Sequence, residues 1–411
     1  MRYGLLGEHL PHSFSKQIHE ALGRYAYELI QVAPGDLDAF LRARDFAAIN
    51  VTIPYKQAVI PYLQDLTPRA RAIGAVNAIV NRGGELYGDN TDFGGLEALI
   101  RRMGLDLGGK TVLILGTGGT SLTARAVARD LGAGEVYRVS RSGRDGVLTY
   151  DQAVREHPEA QVIINTTPVG MYPDLDRSPL DLGPFEALEG VVDVIYNPLT
   201  TRLVQQARDR GVPAENGLYM LVAQAVLAAE FFLGQDVGRG RIDEIYRTLK
   251  RDRQNIVLIG MPGSGKTTLG QILARRLDRP LVDTDQAIVA RAGMEITDIF
   301  ASRGEAWFRD LETRVIREES RTGGKLIATG GGAVLREENL AALKQNGAVV
   351  FLDRPLEALL PTADRPLANS DEKLRALYAA RRPIYQKAAD VTLAVEGTPD
   401  QTAEKLVRCL S

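Results

Sequence analysis

The sequence predicts an α/β protein of the parallel-sheet kind, organised as two N-terminal lobes followed by a separate P-loop domain. Three observations carry that expectation. A buried-strand run at Thr111–Leu115 feeds a glycine loop and then a helical stretch, a second run at Asn255–Ile259 does the same, and a charged segment lies between the two units.

Composition narrows the class. At about 150 residues per domain, 411 residues suit two to three domains, each long enough to bury a core. Lys plus Arg is 50 and Asp plus Glu is 52, a net charge of −2, so nothing electrostatic points to nucleic acid or to an acidic membrane. Hydrophobic residues at 45% and charged residues at 25% are globular values and exclude a disordered or collagenous chain. The one cysteine, Cys409, excludes an intramolecular disulfide and a multi-cysteine zinc site, and suits a reducing compartment. The N-terminus turns polar by Glu8 and breaks at Pro11, too early for a secretory signal. The longest apolar run, Leu218–Leu233, contains Gln224 and Glu230 and is short for a membrane span. A cytoplasmic protein is expected, a monomer or homodimer with no membrane or nucleic-acid partner.

The elements follow in order. Residues 1–92 form a first α/β lobe with strands expected at Tyr3–Leu6, Tyr27–Val32, Ala48–Thr52 and Val76–Val80. Residues 93–216 form a Rossmann-like lobe, with Thr111–Leu115, Glu135–Val139, Gln161–Asn165 and Val191–Ile195 spaced as βαβ repeats. Between Gln235 and Gln254 ten of twenty residues are charged and no apolar periodicity is visible, which marks residues 235–254 as a linker. Residues 255–411 form the last α/β domain, with further strands at Lys325–Thr329, Ala348–Leu352 and Val391–Val395.

Gly260-Met261-Pro262-Gly263-Ser264-Gly265-Lys266-Thr267 fits the phosphate-binding loop pattern and stands between a strand and a helix, as that motif requires. Glycines let backbone N–H groups converge on phosphate oxygens, Lys266 neutralises the β and γ phosphates, and the Thr267 hydroxyl serves magnesium. Asp283-Thr284-Asp285 ends the next strand at the carboxyl edge where doubly wound sheets bind ligands. There one carboxylate can serve the metal and the other an acceptor hydroxyl, or one can cap a helix. Arg309 and Glu312 are three apart on a helical stretch, a spacing that more often gives a surface pair. Gly330-Gly331-Gly332 suggests close backbone approach to a ligand, or a flexible loop. Arg365 and Arg381 offer forked pairing to phosphate or carboxylate.

Taken in order, the P-loop, Asp-x-Asp, Phe308-Arg309-x-x-Glu312, the three glycines, Arg365-Pro366-Leu367 and Arg381-x-Pro383-x-Tyr385 resemble shikimate kinase from about residue 255 to 411. The resemblance implies a P-loop fold of the nucleoside-monophosphate-kinase kind, with shikimate held by Asp285, Arg309, Gly331, Gly332 and Arg381. It implies ATP on Gly263, Ser264, Gly265, Lys266, Thr267 and Thr268, Mg²⁺ served by Thr267 and Asp283, and Arg365 closing from a lid. Asp285 and Lys266 would be catalytic. The lid is where the sequence departs, with four residues between Leu360 and Arg365 and no additional lid arginine.

In the N-terminal half, Gly116-Thr117-Gly118-Gly119-Thr120-Ser121 is a looser dinucleotide loop. The next strand is followed by Ser140-Arg141-Ser142, with an arginine where a carboxylate would grip a free ribose hydroxyl, and this favours NADP over NAD. The first lobe carries hydroxyls, amides, a lysine and a carboxylate at loop positions, suited to a small polyhydroxylated acid. Each has an ordinary alternative: Ser15 as a helix N-cap, Asn77 as a turn residue, Lys56 as a solvated charge. None of His9, His12, His19 or His157 has metal-ligand spacing.

In sequence order, Gly7–Ser15, Asn50–Lys56, Ile73–Asn77, Asn90–Asp92, the glycine loop, Asn165–Met171 and Gly217–Gln224 resemble shikimate dehydrogenase across residues 1 to about 249. The resemblance implies substrate contacts from Ser13, Ser15, Thr52, Asn77, Asp92, Tyr196 and Gln224, with Lys56 as acid/base paired with Asp92. NADP(H) would lie on Gly116, Thr117, Gly118, Gly119, Thr120, Ser140, Arg141, Ser142 and Gly217, and residues 217–234 would return to complete the first lobe. Lys16 stands where the family has proline, and Ser140 where asparagine precedes the arginine.

The two resemblances together imply a bifunctional enzyme of the shikimate pathway. It would reduce 3-dehydroshikimate to shikimate with NADPH and phosphorylate the same 3-hydroxyl with ATP and Mg²⁺. An NAD-using quinate/shikimate dehydrogenase with a kinase domain and a silent ligand sensor are the alternatives.

Overall fold

The computed structural model describes residues 2–10, 13–144, 146–238, 240–359 and 370–410. Two compact units emerge, the first comprising residues 1–197 and 201–248, the second residues 198–200 and 249–411.

In the first unit, six strands form one mixed sheet: β1 (Tyr3–Gly7), β2 (Tyr27–Gln31), β3 (Ala48–Val51), β4 (Asp65–Leu66), β5 (Ala78–Arg82) and β6 (Glu85–Asp89). Their order is β2-β1-β3-β5-β6-β4. The first three run parallel, and β5 and β6 join antiparallel through Gly83-Gly84, where φ is +63° and +93°. Two successive positive φ values make the two-residue turn whose twist matches a hairpin. Around this sheet lie α1 (Ser15–Ala21), α2 (Leu37–Ala43) and α3 (Pro68–Ile73). Leu6, Phe46, Ile49, Val59 and Ile79 form its dry interior.

The second sheet is parallel throughout, in the order β11-β10-β9-β7-β8. It consists of β7 (Thr111–Leu115), β8 (Glu135–Val139), β9 (Val162–Asn165), β10 (Gly190–Asp193) and β11 (Ala214–Glu215). Burial on both faces explains the unbroken apolar runs of β7 and β9. Its helices are α4 (Asp92–Arg102), α5 (Gly119–Asp130), α6 (Tyr150–Glu156) and α7 (Arg202–Asp209). Helix α8 (Leu218–Leu233) returns to the first sheet, where Ala228 and Phe232 pack with Leu5, Tyr27, Ala78 and Val80. It meets α4 closely, because a Cβ at Gly95 would stand 2.7 Å from the Met220 carbonyl oxygen and 2.9 Å from Gln224 Cβ.

The charged segment is not a bare linker. It contains α9 (Arg241–Arg253), with Ile245, Tyr246 and Leu249 buried. Three apolar positions within one turn make a stripe too narrow to stand out among ten charges. Tyr246 meets the Tyr219 ring edge-on at 5.2 Å, with the Arg102 guanidinium over both rings. The first unit therefore extends to Thr248, through fourteen of the twenty residues expected to be linker.

In the second unit the sheet is parallel in the order β13-β14-β12-β15-β16. Its strands are β12 (Asn255–Ile259), β13 (Leu281–Asp283), β14 (Leu326–Ala328), β15 (Gly347–Asp353) and β16 (Val391–Ala394). Its helices are α10 (Lys266–Leu277), α11 (Thr284–Ala292), α12 (Ile296–Ser320), α13 (Glu337–Asn346), α14 (Asp371–Ala388) and α15 (Pro399–Leu410). Helix α12 is broken at Gly304 (φ +83°), so Arg309 and Glu312 ride on its second segment. Among the described residues no helix is long and apolar enough to cross a membrane, and no cluster of metal-binding side chains is preformed.

Candidate active sites

Lys56 lies just beyond the cis Ile53–Pro54 bond, in the turns after β3, and Asp92 is the first residue of α4. Lys56 Nζ donates to Asp92 Oδ2 at 2.5 Å, and the two side chains are 14% and 10% exposed. The solvated-charge alternative for Lys56 therefore fails. Asn90 fixes the entry to α4: its amide donates to the Ala75 carbonyl (2.9 Å) and Thr123 Oγ1 (3.2 Å), and its Oδ1 accepts from the Phe93 N–H (3.2 Å).

Beside this pair, Asn77 is knotted to its neighbours rather than serving a turn. Its Oδ1 accepts from the Thr91 N–H at 2.7 Å, and its amide donates to Thr91 Oγ1 at 3.0 Å and to Gln224 Oε1 at 3.3 Å. Gln224, on α8, is anchored by its own amide to the Leu221 carbonyl (2.9 Å). Behind Asn77, the Asn50 amide donates to the Asn77 carbonyl (3.2 Å), and Asn50 Oδ1 accepts from the Tyr27 hydroxyl (2.7 Å). Thr91, Asn50 and Tyr27 were missed as supports. The signal for the first two was a polar residue inside or beside a quoted motif, at a position the fold then buries.

Ser15 is the first residue of α1, not its cap; Phe14 occupies the cap position, and the Ser15 N–H donates to Ser13 Oγ at 3.2 Å. The Phe14 ring lies 5.2 Å from that of Tyr196, whose hydroxyl is pushed above its ordinary range by burial. Thr52 continues β3, its N–H donating to the Leu6 carbonyl (2.9 Å). Deeper in the same lobe, His19 is enclosed, stacked on Tyr27 at 4.0 Å, with Nδ1 2.8 Å from the Tyr25 hydroxyl. Burial drives its pKa down to about 3.

The dinucleotide loop follows β7 at the carboxyl edge, where β7 and β9 lie side by side while their connections diverge, the place such sheets bind ligands. Gly116 has φ +113°, and a Cβ there would meet Thr166 Oγ1 at 2.6 Å. Gly118 opens the first turn of α5 with no atom within 4 Å of its Cβ position, so backbone N–H groups can face a diphosphate. Thr120 Oγ1, in the first turn of α5, lies 3.5 Å from Lys56 Nζ. Ser140, Arg141 and Ser142 cap the end of β8, with Arg141 exposed. At Gly217 a Cβ would stand 2.1 Å from the Val194 carbonyl oxygen, so close approach of backbone demands glycine there.

Asp193 ends β10 and is fully buried. It accepts from Thr201 Oγ1 (2.6 Å), Asn165 Nδ2 (3.0 Å) and the Ile195 N–H (3.1 Å), while burial pushes its pKa up to about 6.

In the second unit, positive φ values at Gly260, Gly263 and Gly265 (+146°, +80° and +96°) let the loop after β12 wrap inward. Lys266 Nζ donates to the Gly260 and Met261 carbonyls at 3.0 and 2.9 Å. Asp283 takes the helix-capping reading of its motif. Its Oδ1 caps α11 through the Asp285 and Gln286 N–H groups, and its Oδ2 accepts from Thr267 Oγ1 at 2.8 Å. Hard oxygens so placed beside a phosphate loop fit Mg²⁺.

The three glycines are a close-packed wall rather than a slack loop. A Cβ at Gly330 would meet Asp285 Oδ1 at 2.6 Å and Glu312 Oε1 at 2.9 Å, one at Gly331 would meet Pro262 Cδ at 3.0 Å, and one at Gly332 would meet Arg309 Nη1 at 2.4 Å. The Gly331 carbonyl accepts from Arg381 Nη1 (3.0 Å) and from the Tyr385 hydroxyl. Arg309 pairs with Glu312 at 2.7 Å, and Glu312 is buried outright, so this is no surface pair. Burial pushes the Glu312 carboxyl upward, with the Arg309 charge opposing. Together these groups line a cleft of about 1010 Å³ that also takes in Thr268 and Arg354. Ser264 is buried behind the loop. Arg354, at the end of β15, was not anticipated. Arg365 and the lid lie outside the described residues.

Comparison with known proteins places two families on the chain. A model described as "Shikimate dehydrogenase substrate binding domain" matches residues 5–79, and one described as "Shikimate kinase" matches residues 262–411. A shikimate dehydrogenase (NADP(+)) of Symbiobacterium thermophilum is 40% identical over 271 residues, 58% of this chain and 90% of that protein. A shikimate kinase of the same organism is 47% identical over 151 residues, 34% of this chain and 87% of that protein. Among solved structures, the shikimate 5-dehydrogenase of Thermus thermophilus, in complex with NADP(H) and shikimate, is 30% identical with a TM-score of 0.54. It covers 60% of this chain and 99% of its own.

Proposed function

Because this chain belongs to the shikimate dehydrogenase family in its N-terminal part and to the shikimate kinase family in its C-terminal part, we propose that it makes shikimate from 3-dehydroshikimate with NADPH and then phosphorylates it with ATP·Mg²⁺. The observation that carries the first step is the shielded Lys56–Asp92 pair beside the dinucleotide loop.

When bound, NADPH supplies the hydride. As the ketone oxygen gains negative charge, the Lys56 ammonium stabilises it and delivers the proton, while Asp92 holds that ammonium in place. Asn77 and Gln224 fix one side of the substrate, and Ser13, Ser15, Thr52 and Tyr196 the hydroxyls and carboxylate of the other. Arg141 favours the 2′-phosphate of NADP over the free hydroxyl of NAD.

In the second unit, ATP supplies the phosphoryl group, with Mg²⁺ served by Thr267 and Asp283 to neutralise phosphate charge. Lys266 leaves its carbonyl partners for phosphate oxygens. Asp285 aligns the acceptor hydroxyl, and Arg309, Arg381 and the wall of Gly331 and Gly332 hold the substrate carboxylate and ring, so that positioning is most of the mechanism.

The test is one assay on purified full-length protein with 3-dehydroshikimate, NADPH and ATP·Mg²⁺, following NADPH absorbance and detecting shikimate 3-phosphate by mass. Consumption of NADPH with appearance of the ester is expected. Preference for NADH over NADPH would overturn the cofactor assignment, and shikimate accumulating without ester would overturn the kinase half.

A further inference from the structure

The Lys56 side chain runs beside the start of α5, where a Cβ added to Gly119 would lie 3.4 Å from Lys56 Cβ and 3.6 Å from Cδ. A helix N-terminus carries partial positive charge and repels an ammonium. Asp92 offsets this at 2.5 Å, yet one carboxylate oxygen leaves an ammonium free to swing about that contact. The second contact, 3.5 Å to Thr120 Oγ1, comes from the dinucleotide loop itself.

We infer that Thr120 is a positioning residue for Lys56, its hydroxyl accepting from the ammonium so that the dinucleotide loop aims the proton donor. An ammonium has three N–H groups in tetrahedral directions. With one on Asp92 and one on Thr120, the third has a single direction left, available to the substrate oxygen. The Lys56 backbone is meanwhile fixed by its carbonyl, which accepts from the Val76 N–H at 2.8 Å. The contact at 3.5 Å is long, as catalytic hydrogen bonds are before ligands bind. Thr120 so acts through Lys56, in addition to its place beside the diphosphate.

This inference rests on Lys56 being the acid, and the test separates the two. Thr120→Val keeps the branched shape and removes the acceptor, whereas Thr120→Ser keeps the hydroxyl. Full-length variants are assayed for 3-dehydroshikimate reduction at saturating NADPH, and NADPH dissociation constants are measured by its fluorescence. The expected result is a kcat at saturating NADPH lower by roughly tenfold for the valine variant and restored by serine, with the dissociation constants separating this from any change in cofactor affinity. An unchanged kcat for the valine variant at saturating NADPH overturns the inference, whether or not affinity falls; serine as slow as valine overturns it too. Lys56→Met run in parallel reports on the underlying reading, since a variant that keeps the parental rate shows that Lys56 is not the acid.

Discussion

Two buried ionisable groups of the first unit should pull its stability in opposite directions as the pH falls. His19 is held down to about 3 from 6.5 by burial. Below pH 6.5 the unfolded chain takes up a proton that the native chain refuses, so the contribution of His19 is complete above 6.5 and is lost as the pH falls toward 3. Asp193 is pushed up to about 6 from 3.8 by burial. Its favourable contribution is complete below 3.8 and is lost as the pH rises through 6. Going from about pH 7.5 to about pH 5, His19 removes about 2 kcal/mol and Asp193 restores about 1 kcal/mol. The parent should therefore change little, while Asp193→Asn exposes the full loss and His19→Gln turns the trend into a gain. Hydrogen exchange at peptides covering β1 and β10, corrected for intrinsic rates, measures this in the first unit. Trp307, the one tryptophan, lies in the second unit and its fluorescence is a control that neither substitution should move. If both variants keep the parental pH slope, the argument from burial is wrong.

Four further outcomes are expected. Lys56→Met should cut the rate of reduction by roughly 10²- to 10⁴-fold and leave phosphorylation intact, and Lys266→Met should do the reverse; absorbance and mass detection in the same tube check both. Gly217→Ala should destabilise the first unit by about 3 kcal/mol, because its methyl would have to displace the Val194 carbonyl, and the urea midpoint of dehydrogenase activity reads this out. Glu312→Ala removes the buried partner of Arg309 and leaves it only the half-exposed Glu305, so it should cost the second unit about 1 to 3 kcal/mol, seen in the urea titration of Trp307 fluorescence.

Legibility in the sequence followed the range of the interaction. The inner strands of both parallel sheets, β7, β9 and β10 and then β12, β14 and β15, stood out because they are buried on both faces and are mostly apolar, whereas the two-residue edge strand β11 did not. The P-loop was legible because glycine, lysine and threonine act within one turn of chain. Helix α9 was hidden because its buried stripe is only Ile245, Tyr246 and Leu249 amid charge. Strands β4 and β6 are short or polar and were not anticipated, and the Gly83-Gly84 turn into β6 was not read. The pairing of Asn77 with Gln224 spans 147 residues, beyond any periodicity, and only family resemblance brought the two together. Likewise, nothing local announces that Gly217 must be glycine, since the reason is a carbonyl on another strand end.

The dependence of Asn77 on Gln224 also orders events while the chain is being made. Synthesis delivers the N-terminus first, and domains fold as they emerge. The first lobe can lay down β1 to β6 early, yet its amide knot stays open until the whole cofactor lobe and the start of α8 have been translated. A ribosome halted after β11 would thus carry two sheets and an unfinished pocket. By the time Gly260 is added, every dehydrogenase residue named above already exists, so the upstream enzyme can mature while the downstream one is still being written.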